Sequence, residues 1–398
     1  MRHPRKKVFA ALLAAAFSLT LLSLDTLDVQ PFLRSTYFLE TTHVLERTST
    51  TNETQFGELR AGFGRALLTP TLRADDNPAE GRFVNLPLAG YGARKGKPAQ
   101  GAHDDLWVKA VAFQVGPRVG VIVGTDTLII PREVADAAAT QLRDQAGLER
   151  DQIYFGATHT HCSIGGWGAG FIGEAFAGDF NPDARVWFAQ QLVAAAGQAI
   201  ADLKPAQFGH AKFSAPDLVR NRIVGDLGEE DADFTLAVVK QTEGRTAILG
   251  AFAAHATVLG AGVMQFSGDY PGYWQRAVEA QTGGMALFLS GSVGSHAPVA
   301  GKSGFEGAEL MGNTLAERTL AAMADAPLTN QLPFSIFGAP VRLPSLHVRV
   351  TDRVRLRPWI ARHLVPVSEY TYLQGFRIGN SVWISTPCDF SGELALAP

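Results

Sequence analysis

Residues 107–124 read WVKAVAFQVGPRVGVIVG and predict two neighbouring β-strands. The two runs, Trp107–Val115 and Val119–Gly124, are rich in β-branched residues, and the Gly-Pro-Arg between them is typical of a hairpin. A helical pattern then opens at Pro131, because proline is favoured in the first turn of a helix. A short apolar strand is predicted over Gln152–Ala157. This succession of strand, strand, helix and strand is typical of an α/β protein.

From about Gly57 onward the chain continues this alternation. The other predicted helices are Asp183–Leu203, Pro271–Thr282 and Phe305–Met323. The other predicted strands are Ala206–Phe213, Phe234–Gln241, Thr246–Ala254, Met285–Ser290, Phe334–Leu343, Leu346–Val350, Tyr372–Ile378 and Ser381–Ser385. No internal repeat or low-complexity linker interrupts them. We therefore predict an α/β fold, a large mixed-sheet α/β sandwich flanked by helices, in a single domain.

The composition favours a large folded core. Of the 398 residues, 46% are hydrophobic and 18% are charged, against about 25% charged in typical soluble domains, which excludes a disordered chain. The formal net charge is −3, and four basic residues stand among the first seven positions. Because binding to nucleic acid needs lysine and arginine clustered on one face, no nucleic-acid partner is expected.

The N-terminal segment predicts export from the cytoplasm. Residues Val8–Leu24 (VFAALLAAAFSLTLLSL) carry no charge and follow a basic stretch, the pattern of a signal peptide or an N-terminal membrane anchor over residues 1–24. No small-x-small cleavage motif follows the apolar run, which favours the anchor, and a buried N-terminal helix is the alternative. Residues 25–57 are interpreted as a tether and residues 58–398 as the folded body. The body is therefore expected to be extracytoplasmic, whether secreted, periplasmic or membrane-anchored.

A pair of histidines gives the strongest local signal for chemistry. The motif Thr-His-Thr-His-Cys over residues 158–162 directly follows the predicted strand that ends near Ala157. In extended backbone, residues i and i+2 face the same side, so His159 and His161 can point into one site at the carboxyl end of a strand. Neutral imidazole is a common zinc ligand, so the pair predicts a metal site. Two hydrogen-bonded or surface histidines are the alternative, since His-x-His is a short motif.

A third histidine and two carboxylates also follow predicted strands. His255 comes directly after one strand, and Asp389 and Glu393 come shortly after another. A carboxylate that joins two histidines would complete a zinc site with an open position for water. Asp389 is alternatively the N-cap of a short helix. Cys162 and Cys388 adjoin the two segments and are predicted to lie near each other.

Two glycine-rich segments have weaker signals. Gly165 and Gly166 begin a stretch with a formal G-x-G-x-x-G, but no strand-turn-helix surrounds it, so it indicates a flexible loop beside the histidines or a plain turn. Residues 289–298 are similar to a serine-hydrolase elbow, although Ser290 stands where the first glycine should be. A tight Gly-Ser loop is therefore favoured, and a serine esterase that uses Ser292 or Ser295 with the adjacent histidine stays an alternative.

Several short segments occur in a characteristic order between about residue 60 and the C-terminus. They are Gly62-Phe63-Gly64-Arg65, Thr69-Pro70, Leu88-Ala89-Gly90-Tyr91-Gly92, His103-Asp104-Asp105-Leu106, Lys109-Ala110, Thr125-Asp126, Thr158-His159-Thr160-His161, Asn221-Arg222, His255, Gly268-Asp269-Tyr270-Pro271-Gly272-Tyr273, residues 294–298, and Arg377-Ile378-Gly379 through Asp389-Phe390. Together these segments resemble the N-terminal catalytic domain of the neutral/alkaline non-lysosomal ceramidase family.

The resemblance implies a zinc-dependent amidase that hydrolyses the amide of ceramide to sphingosine and a fatty acid outside the cytoplasm. Its expected partners are a lipid-like N-acyl substrate and a membrane surface. By the resemblance, His159, His255 and Asp389 hold the zinc. A water activated by the zinc is the expected nucleophile, and His161 is the expected proton carrier, with a role as a zinc ligand left open.

Further residues receive roles in the same scheme. Asp126 is a second candidate for moving the proton, and Arg222 is expected to hold an oxyanion or a polar head group. Tyr273, Gly165 and Gly166 are the expected substrate-binding residues.

The sequence also departs from the family pattern. Asp389 stands where the family has glutamate, Ala297 where it has its catalytic serine, and Ser295 where it has aspartate. The chain ends at Pro398, before the tyrosine that completes the family's zinc ligands. A catalytically degenerate binding or surface protein with the ceramidase fold is therefore the second alternative.

Overall fold

The computed structural model describes residues 4–27, 32–73, 75–365 and 367–396. The described residues form two compact units. The first unit is drawn from Met1–Thr50 and Ala339–Tyr372, and the second from Thr51–Gly338 and Leu373–Pro398.

The first unit is mainly helical. Its helices are Pro4–Ser23, Thr36–Thr51 and Pro358–Leu364. Its strands Leu24–Thr26 and Val354–Leu356 pair antiparallel. Within the described residues, no helix has both the length and the apolar character that crossing a membrane requires. The segment interpreted as a tether contains the second of these helices.

Eleven strands, numbered here along the chain, form the main sheet of the described residues. They are β1 (Gln55–Leu67), β2 (Trp107–Val115), β3 (Arg118–Thr125), β4 (Ile153–Ala157), β5 (Lys204–Ser214), β6 (Asp233–Gln241), β7 (Thr246–Phe252), β8 (Met285–Ser290), β9 (Gln331–Arg342), β10 (Tyr370–Ile378) and β11 (Ser381–Ile384). Four helices cover it: α1 (Arg132–Ala146), α2 (Pro182–Ala201), α3 (Asp269–Thr282) and α4 (Gly304–Ala324).

The sheet branches at β1. One path runs β8-β7-β6-β5-β1-β9-β10-β11, and a second runs from β1 through β2 and β3 to β4. Residues Gln55–Glu58 of β1 pair with β9, whereas Leu59–Leu67 pair with β2. The pairs β3–β4 and β7–β8 are parallel, and the other pairs whose register is described are antiparallel. The sheet is therefore mixed, as predicted.

The two branches pack face to face. Alternate residues of β2 divide between two cores: Val111 and Phe113 point into the layer between the branches, and Val108 and Ala110 point to the side covered by α1 and α2. This is the period-two pattern of a strand that is buried on both faces. At Gly124 of β3, an added Cβ would lie 2.7 Å from the side chain of Leu287 on β8, which shows how closely the branches approach.

The part of the first path that holds β8, β7, β6 and β5 is covered by α3 and α4 on its outer side. Phe234 and Leu236 of β6 share a buried cluster with Trp274 of α3 and Leu315 of α4. The order of layers is therefore helices, sheet, sheet, helices. This confirms the predicted α/β sandwich flanked by helices.

Most predicted elements are present with small shifts at their ends, and one is wrong. The segment Leu346–Val350 was predicted as a strand but forms only an isolated bridge between Arg349 and Arg355. Its alternating pattern lacks a long neighbouring strand with which to pair, and Val350 is exposed. A pattern of alternating residues becomes a strand only where a partner edge exists.

Candidate metal centre

The two parallel strand pairs end at the candidate site. Strand β4 ends at Ala157, two residues before His159, and β7 ends at Phe252, three residues before His255. Because the carboxyl ends of parallel strands in α/β folds are where loops gather polar groups, these histidines are brought to one place from positions 96 residues apart.

Three histidines form a tight cluster. The Nε2 atoms of His159 and His255 lie 3.0 Å apart, and those of His161 and His255 lie 2.9 Å apart. One ligand nitrogen from each of the three side chains can be chosen so that these nitrogens all lie within 4.8 Å of one another. His159 and His255 are buried, and His161 is partly buried. The structure therefore brings together His159 and His255, both predicted as ligands, and adds His161.

Backbone carbonyls fix the tautomers of two of these rings. His159 Nδ1 lies 2.7 Å from the Leu128 carbonyl oxygen, and His255 Nδ1 lies 3.2 Å from that of Val293. A carbonyl oxygen only accepts, so both Nδ1 atoms carry hydrogen and donate. When both rings are neutral, their Nε2 atoms, which lie 3.0 Å apart, then carry lone pairs. This is the arrangement in which an imidazole is ready to bind a metal, with its second nitrogen held by a backbone carbonyl.

Burial favours the uncharged form of His161 and of His255. The pKa of His161 is lowered to about 3 and that of His255 to about 4, in both cases first by burial and then by the neighbouring rings. One proton shared between two rings would reduce the repulsion between the lone pairs of only one of the two close nitrogen pairs. Such a proton would also charge a ring, which burial disfavours. A metal ion would accept electron pairs from all three Nε2 atoms at once. Since zinc–nitrogen bonds of 2.0–2.1 Å place tetrahedral ligands roughly 3.3 Å apart, the cluster fits zinc after small adjustments.

The backbone of the histidine loop is strained at His159. Its φ of 63° lies in the left-handed region, which costs a non-glycine residue about 1–3 kcal/mol. Arg94, which is buried, holds the loop from behind. Its guanidinium donates to the carbonyl oxygens of His161 and Ala89 and, at 3.3 Å, to the sulfur of Cys162. Nothing local in the sequence marks Arg94 as part of the site.

Asp389 lies at the rim of the cluster. Its Oδ2 is 3.5 Å from His159 Nε2, and 47% of the side chain is exposed. The contact with His159 lowers the pKa of Asp389 most, and burial acts in the opposite direction. The net shift is downward, so Asp389 is ionised at neutral pH. The predicted ligand triplet of His159, His255 and Asp389 is thus brought together.

Arg222 lies beside the same loop as His255. Its guanidinium donates through Nε and Nη2 to the Gly294 carbonyl oxygen at 3.2 and 3.0 Å. Its positive charge lowers the pKa of both His255 and Asp389. A cation is therefore available next to the histidines, and Nη1 is not used in these two bonds.

The other predicted site residues have structural partners. Asp126 is buried and accepts hydrogen bonds from the Trp107 amide at 2.9 Å and the Gln275 side chain at 2.7 Å, and burial raises its pKa to about 6. The hydroxyl of Tyr273, on α3, is 2.9 Å from His103 Nε2. The catalytic role of Asp126 and the substrate-binding role of Tyr273 remain predictions.

Gly165 and Gly166 are buried rather than open to solvent. Their amides donate to the carbonyl oxygens of Pro87 and Ala177 at 2.8 and 2.7 Å. An added Cβ at Gly165 would lie 2.3 Å from the Ala177 oxygen, so close backbone packing explains this glycine. Their predicted contact with substrate remains a prediction.

Among the described residues, His296 is not placed to act as the base that the serine-esterase alternative assigns to it. Ser292 donates to Asp231, and Ser295 Oγ lies 2.8 Å from His296 Nδ1. His296 Nε2 accepts the Asp231 amide at 2.9 Å, so its Nδ1 carries the hydrogen and cannot take a proton from Ser295. His296 and Ser295 are also buried, at 0% and 3% exposure.

The two cysteines form no disulfide. Cys162 is buried and Cys388 is exposed, and both thiols are free.

Solved structures share this architecture. A ceramidase complexed with C2 superposes with a TM-score of 0.69 at 16% identity, over 84% of this chain and 64% of that chain. The neutral ceramidase from Pseudomonas aeruginosa superposes with a TM-score of 0.69 at 17% identity, over 84% of this chain and 63% of that chain. This chain has a ceramidase-like fold.

The resemblance seen in the sequence is thereby confirmed at the level of the fold. No protein-family model matches the sequence, and no curated protein is significantly similar to it. The chain spans less than two thirds of the length of either ceramidase. Identities this low establish a shared fold, and the chemistry of the site has to be argued from its own residues.

Proposed function

We propose that this chain is an extracytoplasmic zinc-dependent amide hydrolase that acts on a lipid-like N-acyl substrate related to ceramide. The observation that carries the proposal is the short distance of 3.0 Å between the Nε2 atoms of His159 and His255, whose Nδ1 atoms both contact backbone carbonyls. The Nε2 atom of His161 lies 2.9 Å from that of His255. The ceramidase-like fold supports the reaction class.

Zinc would be held by His159, His161 and His255 through Nε2, with the Asp389 carboxylate beside it. Bound there, the ion would act as a Lewis acid toward the acyl carbonyl and lower the pKa of a water to about 7. This assignment makes His161 a ligand rather than the proton carrier that the sequence suggested. Asp389 is ionised and half exposed, so it can either join the ligands or accept a proton.

Arg222 would stabilise the negative charge that develops on the acyl oxygen. The Gly294 carbonyl orients its guanidinium, which costs little reorganisation during the reaction. Its charge is already felt by His255 and Asp389, so it faces the reacting region.

Exposed apolar side chains next to the site support a lipid-like substrate. The helix Gly170–Ala177 exposes Phe171 and Phe176, and its Phe176 carbonyl accepts a hydrogen bond from the amide of Gly90. A Cβ added at Gly90 would lie 2.6 Å from the Cβ of His161. Ile223 and Leu227 are exposed just after Arg222. Apolar residues on both sides of a polar site suit an amphiphile at a membrane surface.

Metal content and turnover test the proposal together. Protein purified without chelators and loaded with zinc should hold about one zinc per chain by elemental analysis and release fatty acid from ceramide or a simpler N-acyl amine. His255→Ala should lose both. The matched control is His210→Ala, which removes an exposed histidine on β5 and should retain both.

Two results would contradict the proposal in different ways. No bound zinc in the parent chain would remove its basis. Zinc bound without turnover of any N-acyl substrate would favour the degenerate binding protein.

A further inference from the structure

Three consecutive residues, Val293, Gly294 and Ser295, each contact a different part of the candidate site. The Val293 carbonyl accepts from His255 Nδ1 at 3.2 Å. The Gly294 carbonyl accepts from the Arg222 guanidinium at 3.0 Å. Ser295 contacts the segment that carries Asp389, described next. One short loop therefore connects the imidazole, the guanidinium and the carboxylate.

The segment Asp389–Gly392 docks along this loop. The Gly294 amide donates to the Phe390 carbonyl at 2.7 Å, and Val293 and Ser391 form an isolated antiparallel bridge. A Cβ on Gly294 would lie 2.2 Å from the Asp389 carbonyl oxygen, so the two backbones touch. The Asp389 side chain is half exposed, so its direction depends chiefly on how this backbone is held.

Ser295 forms the end of this attachment. Its hydroxyl oxygen lies 3.0 Å from both the Gly392 amide and the Ser391 hydroxyl, and 2.8 Å from His296 Nδ1. The Ser391 hydroxyl and the Gly392 amide both donate to the Ser295 oxygen. Both lone pairs of that oxygen are thus used by the segment, at a site with 3% exposure.

His296 makes the attachment rigid. Its Nε2 accepts the Asp231 amide at 2.9 Å, which fixes the ring, and a Cβ at Gly392 would lie 2.1 Å from Cε1 of that ring. The segment therefore has one close-packed position against the ring.

We propose that Ser295 is the positioning residue of the site: its hydroxyl anchors the segment Asp389–Gly392 so that the Asp389 carboxylate stays beside His159. This inference rests on the proposed zinc site. The Ser295 hydroxyl contacts the segment and the His296 ring, so its effect on the metal passes through Asp389.

Zinc affinity, measured by competition with a chromogenic chelator, tests the proposal. Ser295→Ala should weaken zinc binding about 10-fold to 100-fold, the range typical of losing a group that orients a ligand. Ser295→Thr keeps the hydroxyl and should recover most of the affinity. Ser292→Ala is the matched control, because that hydroxyl contacts Asp231 rather than the segment, and should change the affinity less than twofold.

A double-mutant cycle separates positioning from a general loss of structure. In an Asp389→Ala background, Ser295→Ala should change zinc affinity less than twofold, because the carboxylate that it positions is gone. The same fold-loss with and without Asp389 would overturn the proposal, and so would parent-like affinity in Ser295→Ala.

Hydrogen exchange of the metal-free protein provides a readout that does not need the metal. The amides of residues 389–396 should exchange faster in Ser295→Ala than in the parent or in Ser292→Ala, and unchanged exchange would overturn the proposal. A parent chain that binds no zinc would overturn the proposed function. It would also remove the role of Ser295 in placing a metal-binding carboxylate, even if hydrogen exchange showed that Ser295 holds the segment.

Discussion

Gly294→Ala should damage the site without touching any histidine. The new Cβ would lie 2.2 Å from the Asp389 carbonyl oxygen and 2.8 Å from that of Phe390, and both are backbone atoms. A carbon and an oxygen in ordinary contact stand roughly 3.2 Å apart, so the segment must move by about 1 Å. Such overpacking costs about 1–3 kcal/mol of stability, and the moved carboxylate should weaken zinc binding about 10-fold or more.

The assay compares urea unfolding and zinc competition in two glycine variants. Gly197→Ala is the control, because no atom outside the neighbouring backbone of α2 lies within 4 Å of its added Cβ, and the residue is inside the C-terminal part of that helix. It should leave zinc affinity unchanged and raise the free energy of unfolding by about 0.5–1 kcal/mol, since alanine is the better helix former. Equal zinc affinity in Gly294→Ala and in the parent would refute the reasoning that the loop places the carboxylate.

Two more predictions follow from buried titratable groups. Cys162 has 0% exposure and a pKa raised to about 12 by burial, whereas Cys388 is exposed. A thiol reagent should therefore react with one cysteine in the native protein and with two after denaturation. Rapid reaction of both in the native state would contradict this. Burial raises the pKa of Asp126 to about 6, above its value of 3.8 in an unfolded chain. The free energy of unfolding should therefore fall by up to about 3 kcal/mol as the pH rises from 4 to 6. Asp126→Asn should remove that part of the pH dependence. Urea unfolding at pH 4 and 7 measures it, and an unchanged pH profile in the variant would argue against the assignment.

The sequence predicted the elements that place the site, because periodic patterns and strand ends are local signals. The hairpin of Trp107–Val115 with the next strand has the predicted pairing, and His159 and His255 follow strand ends that meet. The reason given for the His159–His161 pair was incomplete, however. Extended backbone would place both side chains on one face, whereas His159 has a φ of 63°, in the left-handed region.

The rest depends on contacts between distant parts of the chain. Arg94 reaches the histidine loop from 67 residues away, and Ser295 reaches Gly392 from 97 residues away. Neither residue type nor spacing marks such a contact, because a buried arginine and a loop serine have many structural uses. The sequence placed Ser295 in a weak hydrolase motif, and only the position of the Asp389 segment gives its hydroxyl a role.

The branching of the sheet at β1 has a consequence for how the chain is made. The first residues of β1, Gln55–Glu58, pair with Gln331–Phe334. Most of the second unit lies between these two segments along the chain. Folds that depend on such distant pairings form slowly, since a long loop must close before its contacts are gained. During synthesis the start of β1 therefore waits as an unpaired edge until β9 emerges from the ribosome. A nascent chain that stops before residue 331 should be prone to aggregation, because this part of β1 then has an edge without its partner.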